Sequence, residues 1–331
     1  MPAKSELRVC LVGYGSWTRS AYLPALRRDG RARVVAVVAR KETTRERACV
    51  ELGSGVATFA RLEDAPDSLD IDALLIAVPD SMHEPVLTAA LAGRAAILYE
   101  PPLSDQRARI EPMIERLERS ALVTYADLEL GFIPAVARAA EIAGSGGLGP
   151  IQSASIRLQA GWGPVANYDL CNIDHLSTWY VDVLNRILGA TPSRVLVLDG
   201  HGAPGRRQSR NIAHFDYAGV WGTLDVNIAC VGDLAIDVRV NGSEGDLEAD
   251  LLSGGVRWRT RTHPAWIEEN HAALQPVASW PGMHESVSEF LNAVERGQAT
   301  VNNAASSARL HRIGLAAEQS VETGGWVPIH L

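Results

Sequence analysis

A short apolar run, Arg8 to Val12, breaks at Gly13-Tyr14-Gly15-Ser16-Trp17-Thr18 and is followed by an alanine- and leucine-containing segment, Ala21 to Arg28. This succession of strand, glycine turn and helix constrains the chain more than any other feature, because the alternation then repeats. Val34 to Val38, Ala73 to Val78, Ala95 to Tyr99 and Ala121 to Tyr125 read as strands; Arg45 to Leu52, Glu84 to Ala92 and Ile110 to Ser120 read as the helices between them. Apolar strands alternating with helices predict a parallel, doubly wound sheet buried on both faces.

Beyond Gly144-Ser145-Gly146-Gly147 the texture changes. Ile151 to Gln159, Arg194 to Leu198, Ala213 to Tyr217, Gly222 to Ala229 and Ala235 to Val240 are strand-like, several with alternating polarity. They predict a large, open, mostly antiparallel sheet with one wet face. A long helix from Ile173 to Leu188, closed by Gly189, interrupts them, and Met283 to Arg296 and Ala304 to Glu322 close the chain as helices. The expected fold class is α/β, with a doubly wound domain over residues 1–125 and an α+β domain over 126–331 whose last helices can return to the first. The 331 residues suffice for both domains.

Composition narrows the function. With 47% apolar and 21% charged residues the chain is an ordinary globular one. A net charge of −8 offers no footprint for nucleic acid or an anionic membrane, so a small-molecule substrate is the expected partner. No apolar stretch approaches the roughly 20 residues that span a bilayer. The first strand follows Met1 to Glu6 at once, which leaves no room for a signal peptide, and the expected location is the cytoplasm. The four cysteines form no CxxC pair and the histidines no HxxxH or HExxH spacing, so neither a disulfide framework nor a metal site is expected.

The glycine turn lets backbone approach a pyrophosphate and aims the next helix's N-terminus at its charge, which marks Gly13, Gly15, Ser16, Trp17 and Thr18 as candidate cofactor contacts. Thr18 occupies the third glycine position, so the helix is expected slightly farther from the sheet. The second strand ends in Ala39-Arg40-Lys41 rather than in an acid. A ribose 2′-hydroxyl is usually met by a carboxylate and a 2′-phosphate by cations, so Arg40 and Lys41 favour NADP over NAD. The bland alternatives are an ordinary βα turn and a solvated strand end.

Several segments together resemble the Gfo/Idh/MocA oxidoreductases, the glucose-fructose oxidoreductase and inositol dehydrogenase family. They include Gly13-Tyr14-Gly15 with Leu23-Pro24-Ala25-Leu26, Ala77-Val78-Pro79-Asp80-Ser81-Met82-His83, Glu100-Pro101-Pro102-Leu103, Phe132-Ile133-Pro134-Ala135 and Gly242-Ser243-Glu244-Gly245-Asp246-Leu247. The resemblance implies a Rossmann domain, a second domain whose open sheet covers the nicotinamide and mediates oligomer contacts, and hydride transfer at a sugar, polyol or related carbon. It also places Pro79, His83 and Glu100 near the nicotinamide. Homodimers or homotetramers are the expected assemblies.

The resemblance fails at the positions that move the proton. The family's lysine slot holds Pro101, and aligning the central helix on Asp182 and Gly189 puts His175 at the family's aspartate and Trp179 at its histidine. No migrated ammonium is at hand, since the only lysines are Lys4 and Lys41. His175 is the leading substitute, because an imidazole suits proton transfer near neutrality, although a helix histidine satisfied in a seam is the plainer reading. Asp127 and Glu129 follow the last strand of the first sheet, at an edge where such sheets place ligands. Tyr168 and Tyr180 are phenols, with Tyr180 facing elsewhere on a regular helix. The family's usual arginine position is Gly131, and losing a cation while gaining carboxylates suits an amine or iminium substrate. Two functions stay open: an NAD(P)-dependent oxidoreductase with a non-standard proton donor, acting on an imine or activated carbonyl, or a non-redox descendant that eliminates, cyclises or hydrolyses in the old pocket or only partners another protein.

Overall fold

The computed structural model describes residues 6–161, 172–199, 210–271, 280–298 and 300–331, without the side chains of 172–177 and 199. The chain forms two compact units, one of residues 1–128 with 275–308 and one of 129–274 with 309–331.

In the first unit, β1 (Leu7–Val12) has no wet side: Val9, Cys10, Leu11 and Val12 are all buried. A strand apolar on both faces needs cover on both, so it lies mid-sheet. Around it stand β2 (Ala32–Val38), β3 (Ala57–Phe59), β4 (Ala73–Ile76), β5 (Ala96–Tyr99) and β6 (Thr124–Ala126) in the order β3-β2-β1-β4-β5-β6. All the pairings are parallel. The order reverses beside β1, so the carboxyl ends of β1, β2 and β4 open a crevice there. The helices are α1 (Leu23–Asp29), α2 (Glu42–Leu52), α3 (His83–Leu91) and α4 (Arg107–Arg119). From α4 the chain runs into β6.

The sequence places the first helix from Ala21 to Arg28, and the structure starts it earlier. Helix runs unbroken over residues 16–29, with a π-turn at Thr18–Tyr22. The cause lies at Thr18: it is buried, and its Oγ1 donates to Gly13 O at 3.0 Å, so the side chain folds back under the glycine turn.

In the second unit, α5 (Pro134–Gly144), unforeseen from the sequence, starts on Pro134, whose fixed φ suits a first turn. It precedes β7 (Ile151–Gln159), α6 (Asn172–Leu188), β8 (Arg194–Asp199), β9 (Arg210–Tyr217), β10 (Val220–Asn227), β11 (Ala235–Gly242), β12 (Gly245–Asp250), β13 (Gly255–Thr260) and β14 (His263–Asn270). With β15 (Val327–Pro328) these strands form one sheet, ordered β14-β13-β12-β11-β7-β10-β9-β8-β15. Only β7 and β10 run parallel among the paired strands described. Burial alternates as expected: Ala154, Ile156 and Leu158 on β7 and Ile236, Val238 and Val240 on β11 face inward, on a sheet whose helices are α6, packed on β7, and α5, packed on β12. The outer face carries cross-strand ion pairs such as Arg257–Glu248 and Arg259–Asp246. Trp221, Trp258 and Trp266 are strand residues of this sheet.

Of the closing helices, α7 (Met283–Arg296) lies in the first unit, where Val287, Phe290 and Leu291 join its core. α8 (Ala304–Thr323) begins in the first unit and continues in the second.

Candidate cofactor and active site

At the crevice of the first unit the carboxyl ends of β1, β2 and β4 enclose a cleft of about 520 Å³. Gly13 and Gly15 line one side, Pro79, Met82 and Val86 another, and Arg40, Lys41, Thr44, Arg47 and Arg61 the far end. Gly13 has φ +91, and a Cβ there would sit 1.9 Å from Ala77 O, so no larger residue fits. At Gly15 a Cβ would meet nothing within 4 Å, leaving backbone open to the cleft. A turn packed hard on one side and bare on the other is what close approach of a pyrophosphate requires. The residues therefore fit a dinucleotide. Arg45, also on α2, turns away from the cleft and donates to Ala39 O and Arg40 O, fixing the strand end that presents Arg40 and Lys41.

Of the ten expected cofactor contacts, Gly13, Gly15, Arg40, Lys41 and Pro79 line this cleft. Ser16, Trp17, Thr18, His83 and Glu100 do not. Trp17 packs on Trp280, with ring centroids 5.6 Å apart. His83 is only 2% exposed, and its ring nitrogens stand 2.5 Å from Pro102 O and 2.9 Å from Val78 O, so its polar atoms are occupied by the loops after β4 and β5. Asp80 Oδ1 lies 3.6 Å from its Nε2.

Glu100, the residue after β5, is half-buried. Removal from water, and then the charges of Asp127 and Asp80, push its carboxyl well above the usual carboxylate range. Asp127, just past β6, is 1% exposed and accepts from Ser286 Oγ of α7 at 3.2 Å. Burial raises it to about 7 against the pull of hydrogen bonding from Tyr22, Ser286 and Trp17.

The second unit holds Glu129, 4% exposed, which accepts from Trp179 Nε1 at 3.1 Å. Trp179 is the residue that alignment on Asp182 and Gly189 sets at the histidine position of the resembled family, and here its indole donor faces a carboxylate. Tyr180 is buried, and burial, then the Glu129 charge, raise its phenol. Sequence reasoning missed Arg186. A Cβ on Gly131 would come 2.3 Å from its Nε, and the guanidinium stands over Phe132 at 5.4 Å and pairs with Asp182 at 2.6 Å. The small residue at 131 thus makes room for a cation from α6, which corrects the expectation that the cation is lost; the signal was the Asp182–Arg186 spacing of four. Tyr168 and the side chain of His175 lie outside the described residues. Among the described residues no cluster of His, Cys, Asp and Glu is placed to hold a metal, and no helix is long and apolar enough to cross a membrane.

Fold and cleft together define a Rossmann-type dinucleotide-binding unit joined to an α+β unit with a large open sheet. Residues 7–127 match the family model GFO_IDH_MocA, described as the oxidoreductase family with an NAD-binding Rossmann fold. An inositol 2-dehydrogenase of Corynebacterium glutamicum (strain R) is 35% identical over 117 residues, which is 34% of each chain. A D-xylose 1-dehydrogenase [NADP(+)] of Haloarcula marismortui is 26% identical over 147 residues, 44% of this chain and 41% of that one. The sequence matches thus span well under half of these relatives. Across the whole length the fold is similar to that of a levoglucosan dehydrogenase solved with NADH and levoglucosan (TM-score 0.85, 16% identity, 98% of this chain and 100% of that one). It is also similar to an oxidoreductase domain protein from Kribbella flavida (TM-score 0.83, 18% identity, 99% and 100%).

Proposed function

We propose that this chain is an NAD(P)-dependent oxidoreductase that takes NADP in preference to NAD and exchanges hydride with a small polar substrate, an imine or an activated carbonyl. The observation that carries this reading is the 520 Å³ cleft, with the bare backbone of Gly15 near one end and Arg40, Lys41, Arg47 and Arg61 at the other. Gly13, Gly15 and the start of the helical run 16–29 would hold the pyrophosphate through backbone N–H groups. Arg40 and Lys41 would pair with a 2′-phosphate. When bound, the cofactor supplies the hydride acceptor or donor.

The proton must come from elsewhere, since Pro101 carries none. We assign it to Asp127, Glu129, His175 or Tyr168, the carboxyl of Asp127 being held near neutrality, where proton exchange is efficient. A protonated imine needs less help than a ketone, because its nitrogen already bears the charge that hydride delivery neutralises. Arg186 supplies the cation on the Phe132 side, so the substrate class rests on Pro101 and Trp179 and not on a missing arginine. The reading includes a homodimer or homotetramer, in the cytoplasm.

Pro101 and Trp179 also favour the second reading, a non-redox enzyme in the same pocket. Purified protein given NADPH and a panel of cyclic imines and activated carbonyls separates the two. Loss of nicotinamide absorbance with one equivalent of reduced product supports hydride transfer. Substrate turnover at the same rate with and without cofactor supports the second reading and contradicts the first.

A further inference from the structure

We propose that Glu51 is a positioning residue for the pyrophosphate end of the cleft, joining the glycine turn, the helical run behind it and α2 through one carboxylate. The inference rests on the reading that the cleft takes a dinucleotide. Glu51 is the next-to-last residue of α2. Tyr14, the middle residue of the Gly13-Tyr14-Gly15 turn, is buried and donates its hydroxyl to Glu51 Oε2 at 2.9 Å. Arg19, inside the π-turn, donates Nε to the same oxygen at 2.9 Å and brings Nη2 to Oε1 at 2.9 Å, a two-toothed pair.

Gly13 and Gly15 present backbone to the pyrophosphate, and Arg40, Lys41 and Arg47, at and along the start of α2, face the far end of the cleft. Ala77 O braces the turn on one side, so close to Gly13 that a methyl group cannot enter. Tyr14, the turn's middle residue, is itself held by its hydroxyl's bond to Glu51, and leaving a buried hydroxyl without that partner is costly. Glu51 is that partner and is itself a fixed part of α2. It thus sets the spacing between the two phosphate-facing ends of the cleft without touching the cofactor. The arrangement persists across neutral pH. Burial and then the bond to Glu51 push the Tyr14 phenol up to about 12, so it remains a donor. Arg19 foremost, then Tyr14, holds the Glu51 carboxyl below its ordinary range, so it remains an acceptor.

The test is titration calorimetry of wild type, Glu51→Ala and Glu51→Gln with NADPH, NADH and adenosine 2′-monophosphate, the last having no pyrophosphate. Glu51→Ala is expected to weaken the preferred dinucleotide about tenfold. Glu51→Gln, whose amide oxygen still accepts from Tyr14, is expected to recover most of that loss. Adenosine 2′-monophosphate is expected to bind all three proteins alike. Unchanged dinucleotide affinity in Glu51→Ala overturns the inference while leaving the reading of the cleft intact. Equal loss of the dinucleotide and the monophosphate also overturns it, because that pattern is general loosening. A wild type that binds neither dinucleotide removes the reading of the cleft, and the inference with it.

Discussion

The carboxyl edge of the first sheet has two halves with opposite character. Beside β1 and β2 it is open and cationic, with bare glycine backbone and Arg40, Lys41, Arg47 and Arg61 around 520 Å³ of space. Beside β5 and β6 it is closed and acidic: Glu100 and Asp127 are driven toward their protonated forms, and His83 is locked between two carbonyls. Both halves sit at strand ends, so topology alone does not separate them. Side-chain charge and burial do: the first half suits a phosphate-bearing ligand, and the second offers carboxyls and no lysine.

The most damaging single change to the open half is Gly13→Ala. The new methyl meets Ala77 O at 1.9 Å in a φ +91 backbone, so a cost of about 3 kcal/mol or more and loss of dinucleotide binding are expected, checked by thermal unfolding and calorimetry. Next comes Arg40→Ala, which is expected to weaken NADPH about tenfold with NADH unchanged. Equal losses for the two cofactors would break the assignment of that end to a 2′-phosphate.

The closed half is probed by pH. Asp127 holds its proton to about pH 7 when folded, against an ordinary value of 3.8. Between those values the folded chain binds the extra proton, so this group's contribution to stability falls as pH rises from about 4 to about 7 and stays low above. Asp127→Asn keeps an acceptor for Ser286 and removes the slope, so its unfolding midpoint is expected to exceed the wild type's at pH 8 and to converge on it toward pH 4. An equal offset at both values would contradict a carboxyl whose burial outweighs its hydrogen bonds. The smallest effect belongs to the second unit: Trp179→Phe removes the donor to Glu129 and is expected to cost about 1 kcal/mol by denaturant titration.

The same division explains what the sequence discloses. Both sheets were legible because period and apolarity mark them: β1 is a continuous apolar run, and β7 alternates from Ile151 to Gln159. The strands β12, β13 and β14 escaped notice because their outer faces bear Arg, Glu and Trp in ion-paired ladders, which dilutes the apolar signal. Gly13, Gly15, Arg40 and Lys41 could be placed because their backbone and charge requirements are local. Arg186 and Glu51 could not, since each acts on a segment dozens of residues away: Arg186 fills the space left by Gly131, and Glu51 holds Tyr14. The π-turn at Thr18 was not legible, for a related reason. The Thr18 side chain bonds back to Gly13 O, so the missing third glycine gives a π-turn that spacing arguments do not anticipate.

The measurement that bears most directly on the account is calorimetric titration of the purified wild-type chain with NADPH and with NADH at neutral pH. A saturable isotherm for NADPH, tighter than that for NADH, is the predicted result. Absence of measurable heat and of saturation with either coenzyme would contradict it.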